Sequence, residues 1–480
     1  MAVPVIVWMR RCLRANDNAL LQAAAGSDAP IVPVYIHAPE EEQPWPPGSA
    51  ARWWLRQSLE ALARRLAQHH LPLVLRRGNT AAVLRELAHE TGANAVYYDQ
   101  RWEPALVKRD GAVTQTLARD GVAMRPVNTA LLITPEELLT KQGRPYQVFT
   151  PFWQAAVQAF PVREPAGPAR LHIPDTVPAG EPWDRLFTEA PPEDSDWGAQ
   201  WTPGEKGAEA ALDTFLEEAL AGYHRQRDIP GLRGTSRLSP HLHFGELSPH
   251  RVWHAVHEYA GLRTEGGLAR GAESWVRELY WREFGHYLLH HFPFTPEAPL
   301  RRQFEEFPWA DDPAALEAWQ RGATGYPIVD AGMRELRATG WMHNRVRMVV
   351  ASFLVKDLLL PWQQGAAWFW ERLVDADLGN NTLGWQWAGG CGADAAPYFR
   401  IFNPVLQGEK FDADGAYVRA WIPEIAALPN KRIYKPWTAS AQELETAGVT
   451  LGKTYPKPMV DHREARERAL AAFEQVKGGA

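Results

Sequence analysis

The sequence predicts two unlike folding units: an N-terminal α/β domain built on a doubly wound parallel sheet, and an all-α C-terminal domain. Three observations predict them. Strand-like and helix-like segments alternate over residues 1–130. A stretch with nine prolines and the acidic run PPEDSD occupies 161–204. From about 205 onward only helical patterns remain, separated by Pro and Gly. At 480 residues, 45% apolar and 22% charged, the chain has apolar mass for more than one large core.

The elements follow in order. VPVIVW (3–8) is an apolar run of strand length, and DNALLQAAA starts a helix on Asp and Asn. IVPVYIH (31–37) reads as strand. In ARWWLRQSLEALARRLAQ (51–68), Leu55, Leu59, Leu62 and Leu66 fall in helical phase. LPLVLRRG is strand, AAVLRELAHETG helix, NAVYYD strand and MRPVN a last strand. Alternating βα units imply a parallel sheet covered by helices. No GxGxxG follows the first strand, so the dinucleotide fingerprint is missing. The expected boundaries are 1–130 for the α/β domain, 131–204 for a connecting segment with a long surface linker, and 205–480 for the helical domain. DHREARERALAAFEQV closes the chain as a charged packing helix.

Composition narrows the function. Cys12 and Cys391 are the only cysteines, so there is no disulfide framework and no CxxC metal site, which fits a reducing intracellular compartment. The first apolar run is too short for a signal peptide, and Lys356 and Asp357 interrupt the most apolar helix, so no membrane span is expected. The net charge of −6 gives no support for nucleic-acid binding; a DNA face must be a local arginine patch. No P-loop, nucleophile elbow, HExxH or kinase motif is present.

Four segments carry chemistry. GTSRLSPHLHFGELSP (234–249) gathers Thr235, Ser236, Arg237 and Ser239 before a helical stretch, either as an anion site or as a helix cap with a surface arginine. His241 and His243, two apart, do not have metal-ligand spacing on a helix face. ESWVRELYWREFGHYLL (273–289) is a helix with Trp275, Glu278 and Arg282 on one face and Trp281 beside it; the plain alternative is an intrahelical Glu278–Arg282 pair. TGWMHNRVRMVVASFLVKDLLLPW (339–362) reads as a second such helix, with Trp341, Asn344 and Met348 on one stripe and Arg347 three after Asn344. Val346, Val349, Val350 and Phe353 take its other side, and Met348 against aromatics is as consistent with core as with a cofactor. DADLGNNTLGWQWAGG (375–390) sets carboxylates and amides beside Trp385 and Trp387, in a chain holding 22 Trp. Such an aromatic, arginine- and amide-lined cavity suits a large planar cofactor or a flipped base.

Together VIVWMRRCLRANDN, GTSRLS, ELYWREF, TGYPIVDAGMREL, TGWMHNRVRM, ASFLVKDLLLPW, DADLGNN, GWQWAGGCGADAAPYFRIFNP and GEKFD resemble, in order and from residue 3 to about 470, the DNA photolyase/cryptochrome family. The resemblance implies a Rossmann-like α/β domain joined by a linker to an all-α FAD-binding domain. It implies a light-dependent carbon–carbon lyase acting, as a monomer, on UV-damaged DNA, single- or double-stranded, inside the cell. Excited, fully reduced FADH⁻ would donate an electron to a flipped-out cyclobutane pyrimidine dimer and recover it after the ring splits. Tyr223, Thr235, Ser236, Arg237, Leu238 and Ser239 resemble the cradle of the FAD phosphates and ribityl chain. Trp275, Glu278 and Arg282 fall where the family lines FAD and lesion, and Asn344 and Arg347 beside the isoalloxazine ring, with Trp341 also among the cofactor-binding positions. Asp375 resembles the partner of Arg347, Asp377 a hydrogen-bonding partner of the flavin ring, and Asn381 the residue facing N5.

Trp385, Trp362 and Trp309 match the family's electron chain to the surface. Trp281 and Trp387 resemble the walls of the lesion pocket, with Glu278, Asn344, Met348 and Arg400 as further lesion contacts and Lys410 beside a phosphate. Photolyases of the (6-4) type carry pocket histidines; Met348 stands here instead, and His343 lies off the stripe, so the cyclobutane dimer is the expected lesion. EPALVKRDG (103–111) puts Leu106 where the folate-binding branch has a Glu, and with AARWWLRQSL it looks more like the deazaflavin-binding branch; the expected antenna is deazaflavin, with FMN or no antenna as the alternatives and folate disfavoured. The rival readings are a cryptochrome without repair, a (6-4) photolyase and, from another class, a helical DNA-binding or structural protein whose tryptophans are core.

Overall fold

The computed structural model describes residues 3–167, 169–188, 190, 192–261, 267–398 and 400–477. Strands β1 (Val5–Trp8), β2 (Ile31–His37), β3 (Val74–Arg77), β4 (Ala95–Asp99) and β5 (Ala123–Val127) form one parallel sheet in the order β3-β2-β1-β4-β5. Val5 lies opposite Ile31, and Ile6 opposite Val96. Helices α1 (Ala19–Ala25), α2 (Ser49–Ala67), α3 (Thr80–Thr91) and α4 (Pro104–Arg119) cover it.

Alternation within β1 sorts the two faces. Val5 and Val7 pack with Leu20, Leu55 and Leu59 of α1 and α2, whereas Ile6 and Trp8 pack with Leu84, Leu87 and Val113 of α3 and α4. A strand covered on both faces reads as an unbroken apolar run, which is what VIVW is. The leucines read as one stripe of α2 are all buried. Asn18 caps α1 by accepting from the N–H groups of Leu20 and Leu21. The strand order reverses at β1, so a crevice opens outside the carboxyl ends of β1 and β4. It faces the helical body.

That body is built around α5 (Phe149–Ala159), α6 (Leu268–His291), α7 (Asn344–Ser352), α8 (Trp362–Arg372) and α9 (Leu378–Gly389). Leu132, Ile133, Leu138, Phe149 and Phe152 pack with Tyr280, Phe284 and Tyr287 of α6, so the chain leaving β5 enters the helical core at once. Glu283 anchors this entry by accepting from Leu132 N at 2.8 Å and Ile133 N at 3.2 Å. At the heart of the body α6 crosses α9 glycine on glycine: a Cβ on Gly379 would lie 2.9 Å from the Gly285 carbonyl carbon. Among the described residues, no helix is long and apolar enough to cross a membrane.

Two sequence expectations need correction. The segment 339–362 is not one helix. Gly340, at φ 69°, ends the preceding helix (Pro327–Thr339) in the left-handed region. Trp341 follows in irregular chain, and α7 starts at Asn344 with His343 as its cap, the imidazole accepting from Arg345 N at 3.2 Å. After Ser352 the coil widens into a π turn (Phe353–Asp357), and α8 begins anew behind Pro361, which has no N–H to continue the ladder. So Trp341 shares no helical stripe with Asn344 and Met348. The proline-rich stretch is also more than a linker lying over the surface. Leu186, Phe187, Trp197 and Trp201 are buried against α2. Prolines remove ladder hydrogen bonds, but they do not stop aromatic side chains from filling a groove.

Candidate active site

The loop ahead of the short helix Ser239–His243 is held in an uncommon conformation, with Arg237 at φ 53°. The Arg237 guanidinium packs over Trp201 at 4.2 Å and Trp341 at 5.0 Å. Its Nε is buried without a partner. Ser236 Oγ accepts from Leu238 N at 3.4 Å, and Thr235 is half-buried in the same loop. Ser239 donates its hydroxyl to Asp375 Oδ2 at 2.6 Å. Arg347 grips the same carboxylate with Nη2 at 2.9 and 3.1 Å, and its Nε donates to Met342 O at 2.7 Å. Asp375 therefore ties the 235–239 loop to α7, and the expected Arg347–Asp375 pair is present.

Asp377 caps α9. Its Oδ1 accepts from the Asn380 backbone N at 2.9 Å and side-chain Nδ2 at 3.0 Å. Its Oδ2 accepts from His286 Nε2 at 2.9 Å and His243 Nδ1 at 3.3 Å. Burial alone would raise this carboxyl; the two imidazoles outweigh it and hold Asp377 well below the usual carboxylate range. Burial pushes His243 down to about 4, so at neutral pH it serves as an uncharged N–H donor. Both carboxylate oxygens are thus engaged inside the protein. Through these bonds the side chain orients the helix that carries Asn381, Trp385 and Trp387. Asn381, half-buried in the first turn, is aimed by a bond from Nδ2 to Ala366 O of α8 at 3.0 Å.

Glu278 pairs with Arg227 at 2.6 Å, and the Arg227 guanidinium lies over the Tyr223 ring at 5.5 Å. The intrahelical Glu278–Arg282 alternative does not form. Arg282 turns to Ala130 O at 2.9 Å and Glu283 at 3.0 Å, because the chain leaving β5 presents a free carbonyl there. Trp275 is buried beside Phe215, with ring centroids 5.6 Å apart. Leu238 is buried in the same core.

The remaining tryptophans differ in exposure. Trp385 and Trp362 are buried, and Trp309 is half-buried beside Phe307. Trp385 packs edge-on to Phe369 at 5.0 Å and Trp319 at 6.1 Å. Trp281 and Trp387 are half-buried, the first lying flat on Phe149 and the second near Phe402. Met348 is half-buried, and Asn344, Arg400 and Lys410 are exposed. Arg345 pairs with Asp228 at 2.8 Å and covers Phe411, which Lys410 also approaches at 4.9 Å. Phe399, in the APYF run before Arg400, lies outside the described residues. The sequence reading missed Arg227, Trp201, His286 and Phe149. For Trp201 a signal existed, a Trp pair at 197 and 201 in an otherwise proline-rich run.

The residues present fit an FAD. A buried arginine nitrogen without a partner stands in a hydroxyl-bearing loop, as a diphosphate requires, and Asp375 ties that loop to Arg347 of α7. Residues 5–170 match the DNA photolyase family model, and residues 275–475 the FAD-binding domain of DNA photolyase. The chain belongs to the DNA photolyase/cryptochrome family. It is 48% identical over 478 residues to the deoxyribodipyrimidine photo-lyase of Agrobacterium fabrum, spanning 99% of this chain and 98% of that protein. It is also 38% identical to cryptochrome-1 of Arabidopsis thaliana, over 98% of this chain and 70% of that protein. The crystal structure of a bacterial class III photolyase from Agrobacterium tumefaciens matches it with a TM-score of 0.94 at 46% identity, over 100% of this chain and 98% of that one. The helical body of this photolyase relative is accordingly an FAD-binding domain, and the α/β domain is that of the family.

Proposed function

We propose that this protein repairs cyclobutane pyrimidine dimers in DNA under blue light, as a monomer inside the cell. The reduced flavin supplies the photochemical electron. The chain's own residues hold the cofactor and present the lesion. Arg237 and the hydroxyls around it take the diphosphate, while Arg347, fixed by Asp375, and Asn381, aimed by Ala366, take the ring edge. Trp281 and Trp387 offer stacking surfaces to the extruded bases; base–aromatic stacking contributes roughly 1–3 kcal/mol per base. Glu278 accepts from the N–H edge of the dimer, and Arg227 keeps its carboxylate in place. Trp385, Trp362 and Trp309 refill the flavin from the surface.

The observation that supports this reading best is a half-buried Trp281 within one turn of Glu278 on α6, the glutamate already paired with Arg227. Met348 favours the cyclobutane lesion over the (6-4) photoproduct, because a thioether packs on an apolar ring and has no proton to give. The test gives reduced protein and blue light two oligonucleotides, each with one defined lesion. Restoration of the cyclobutane dimer alone is expected. Repair of the (6-4) lesion alone would overturn the assignment. Repair of neither, with reduced flavin bound, would favour the cryptochrome reading that the 38% identity to cryptochrome-1 keeps in view.

The antenna belongs in the crevice at the ends of β1 and β4. Trp8, Arg10, Arg101, Leu106, Arg109 and Trp370 line it. Trp8 Nε1, Arg101 Nη1 and Arg109 Nη2 are buried there without partners, which suits a ring system bearing carbonyl oxygens. Deazaflavin and FMN both meet that need, and the likeness of EPALVKRDG and AARWWLRQSL to the deazaflavin-binding branch favours deazaflavin. Chromatography of the chromophores released from purified protein tests the choice.

A further inference from the structure

Trp281 works as a stacking wall only if its plane is fixed before the substrate arrives. An indole on a helix surface has several rotamers, and freezing them on binding subtracts from affinity. The feature that removes this freedom lies outside α6. The Phe149 ring, at the start of α5, lies parallel to Trp281 with 6° between planes and 3.7 Å between centroids. Phe149 is itself immobilised. It is 1% exposed, edge-on to Phe284 at 5.9 Å, and parallel to Trp153 within 6°. Its backbone N donates to Asp394 Oδ2 at 3.3 Å, and Asp394 N donates back to Gln147 O at 3.0 Å. The loop after α9 thereby clamps the start of α5. Arg277 lies over both Phe149 and Trp153 at the outer edge of the stack. Because Phe149 is buried and Trp281 is not, the covered face of the indole is the inward one and the other remains for a base.

From this stack we infer that Phe149 is a positioning residue for lesion recognition: it sets the plane of Trp281 and so the discrimination between damaged and undamaged DNA. The inference rests on the proposed role of Trp281 as a lesion wall. A stacked aromatic pair is worth about a twofold to tenfold change in an equilibrium constant. The experiment measures Kd for a dimer-containing and an undamaged oligonucleotide, and the single-turnover repair rate at saturating protein. The proteins are wild type, Phe149→Leu, Phe149→Met, Trp281→Ala and the Phe149→Leu/Trp281→Ala double variant, each with its flavin content checked. Met fills nearly the volume of the phenyl ring without giving a plane, so it separates loss of stacking from loss of packing. Phe149→Leu and Phe149→Met should each weaken dimer binding about twofold to tenfold, leave undamaged binding and the single-turnover rate unchanged, and have no further effect once Trp281 is Ala. If Trp281→Ala weakens dimer binding but Phe149→Met is silent, or if Phe149→Leu acts equally in both backgrounds, Phe149 does not act through Trp281. If Trp281→Ala itself is silent, the lesion-wall reading fails and the inference with it.

Discussion

Asp375 accepts from Ser239, at the end of the 235–239 loop, and from an arginine of α7, so a single carboxylate sets the spacing between that loop and that helix, the two walls of the proposed cofactor site. Asp375→Ala leaves Arg347 without its anion. A hydrogen bond to a charged group contributes about 1.5–3 kcal/mol, so FAD affinity of the apoprotein should fall roughly 10- to 100-fold by fluorescence titration. A second residue carries a pH dependence. Burial pushes the Glu335 carboxyl from 4.5 up to about 7, against the opposing bonds from Tyr417 Oη and His343 N. Between those values the folded protein binds more protons than the unfolded chain, so this contribution to stability is complete below pH 4.5 and declines until about pH 7. Glu335→Gln keeps both acceptor bonds, removes that decline and should raise the melting temperature at pH 8; an unchanged pH profile would contradict the assignment. The Arg347–Asp375 pair was legible from the motif. The partners of Asp377 were not, since His286 lies 91 positions away and only packing brings it there.

Helices α8 and α9 meet where Gly365 leaves room for an aromatic ring. A methyl group at Gly365 would fall on the Trp385 ring and on Leu354. Gly365→Ala should therefore cost about 1–3 kcal/mol by overpacking and displace Trp385 from its seat against Phe369. Light-driven reduction of oxidised FAD should slow in this variant and stop in Trp385→Phe, while chemically reduced Trp385→Phe still repairs; absorbance at the flavin bands follows both. At this scale the α/β half was readable, because buried parallel strands and a leucine stripe carry their own periodicity. The segment 339–362 was misread although Gly340 and Pro361 mark both breaks. Apolar spacing continues across them, and periodicity alone cannot register a change of axis.

A protein of net charge −6 that binds DNA must do so through a local field. Arg400 and Lys410 are exposed, while Arg345 is partly neutralised by Asp228. Replacing Arg400 or Lys410 by Ala should weaken damaged and undamaged DNA alike and lower the slope of log K against log salt by about 0.9 each. A slope equal to wild type would remove that residue from the interface. Composition gave no hint of such a face, because a patch of a few cations vanishes in a whole-chain sum. The family motifs are long enough to carry the two-domain plan, but not how tightly the domains are joined.

That joint runs through Glu246, which is fully buried and accepts from Trp54 of α2 at 2.9 Å, from Gly204 N at 2.7 Å and from His241. Three stretches of chain converge on a charge that has no water to fall back on, and losing any one of them leaves it underpaired. Covalent continuity between the halves is then dispensable once the protein has folded. A protease that nicks the exposed chain around Asp175 or Glu193 should yield two fragments on a denaturing gel that still elute as one yellow species under native conditions. The same halves, expressed apart, should be insoluble unless made together.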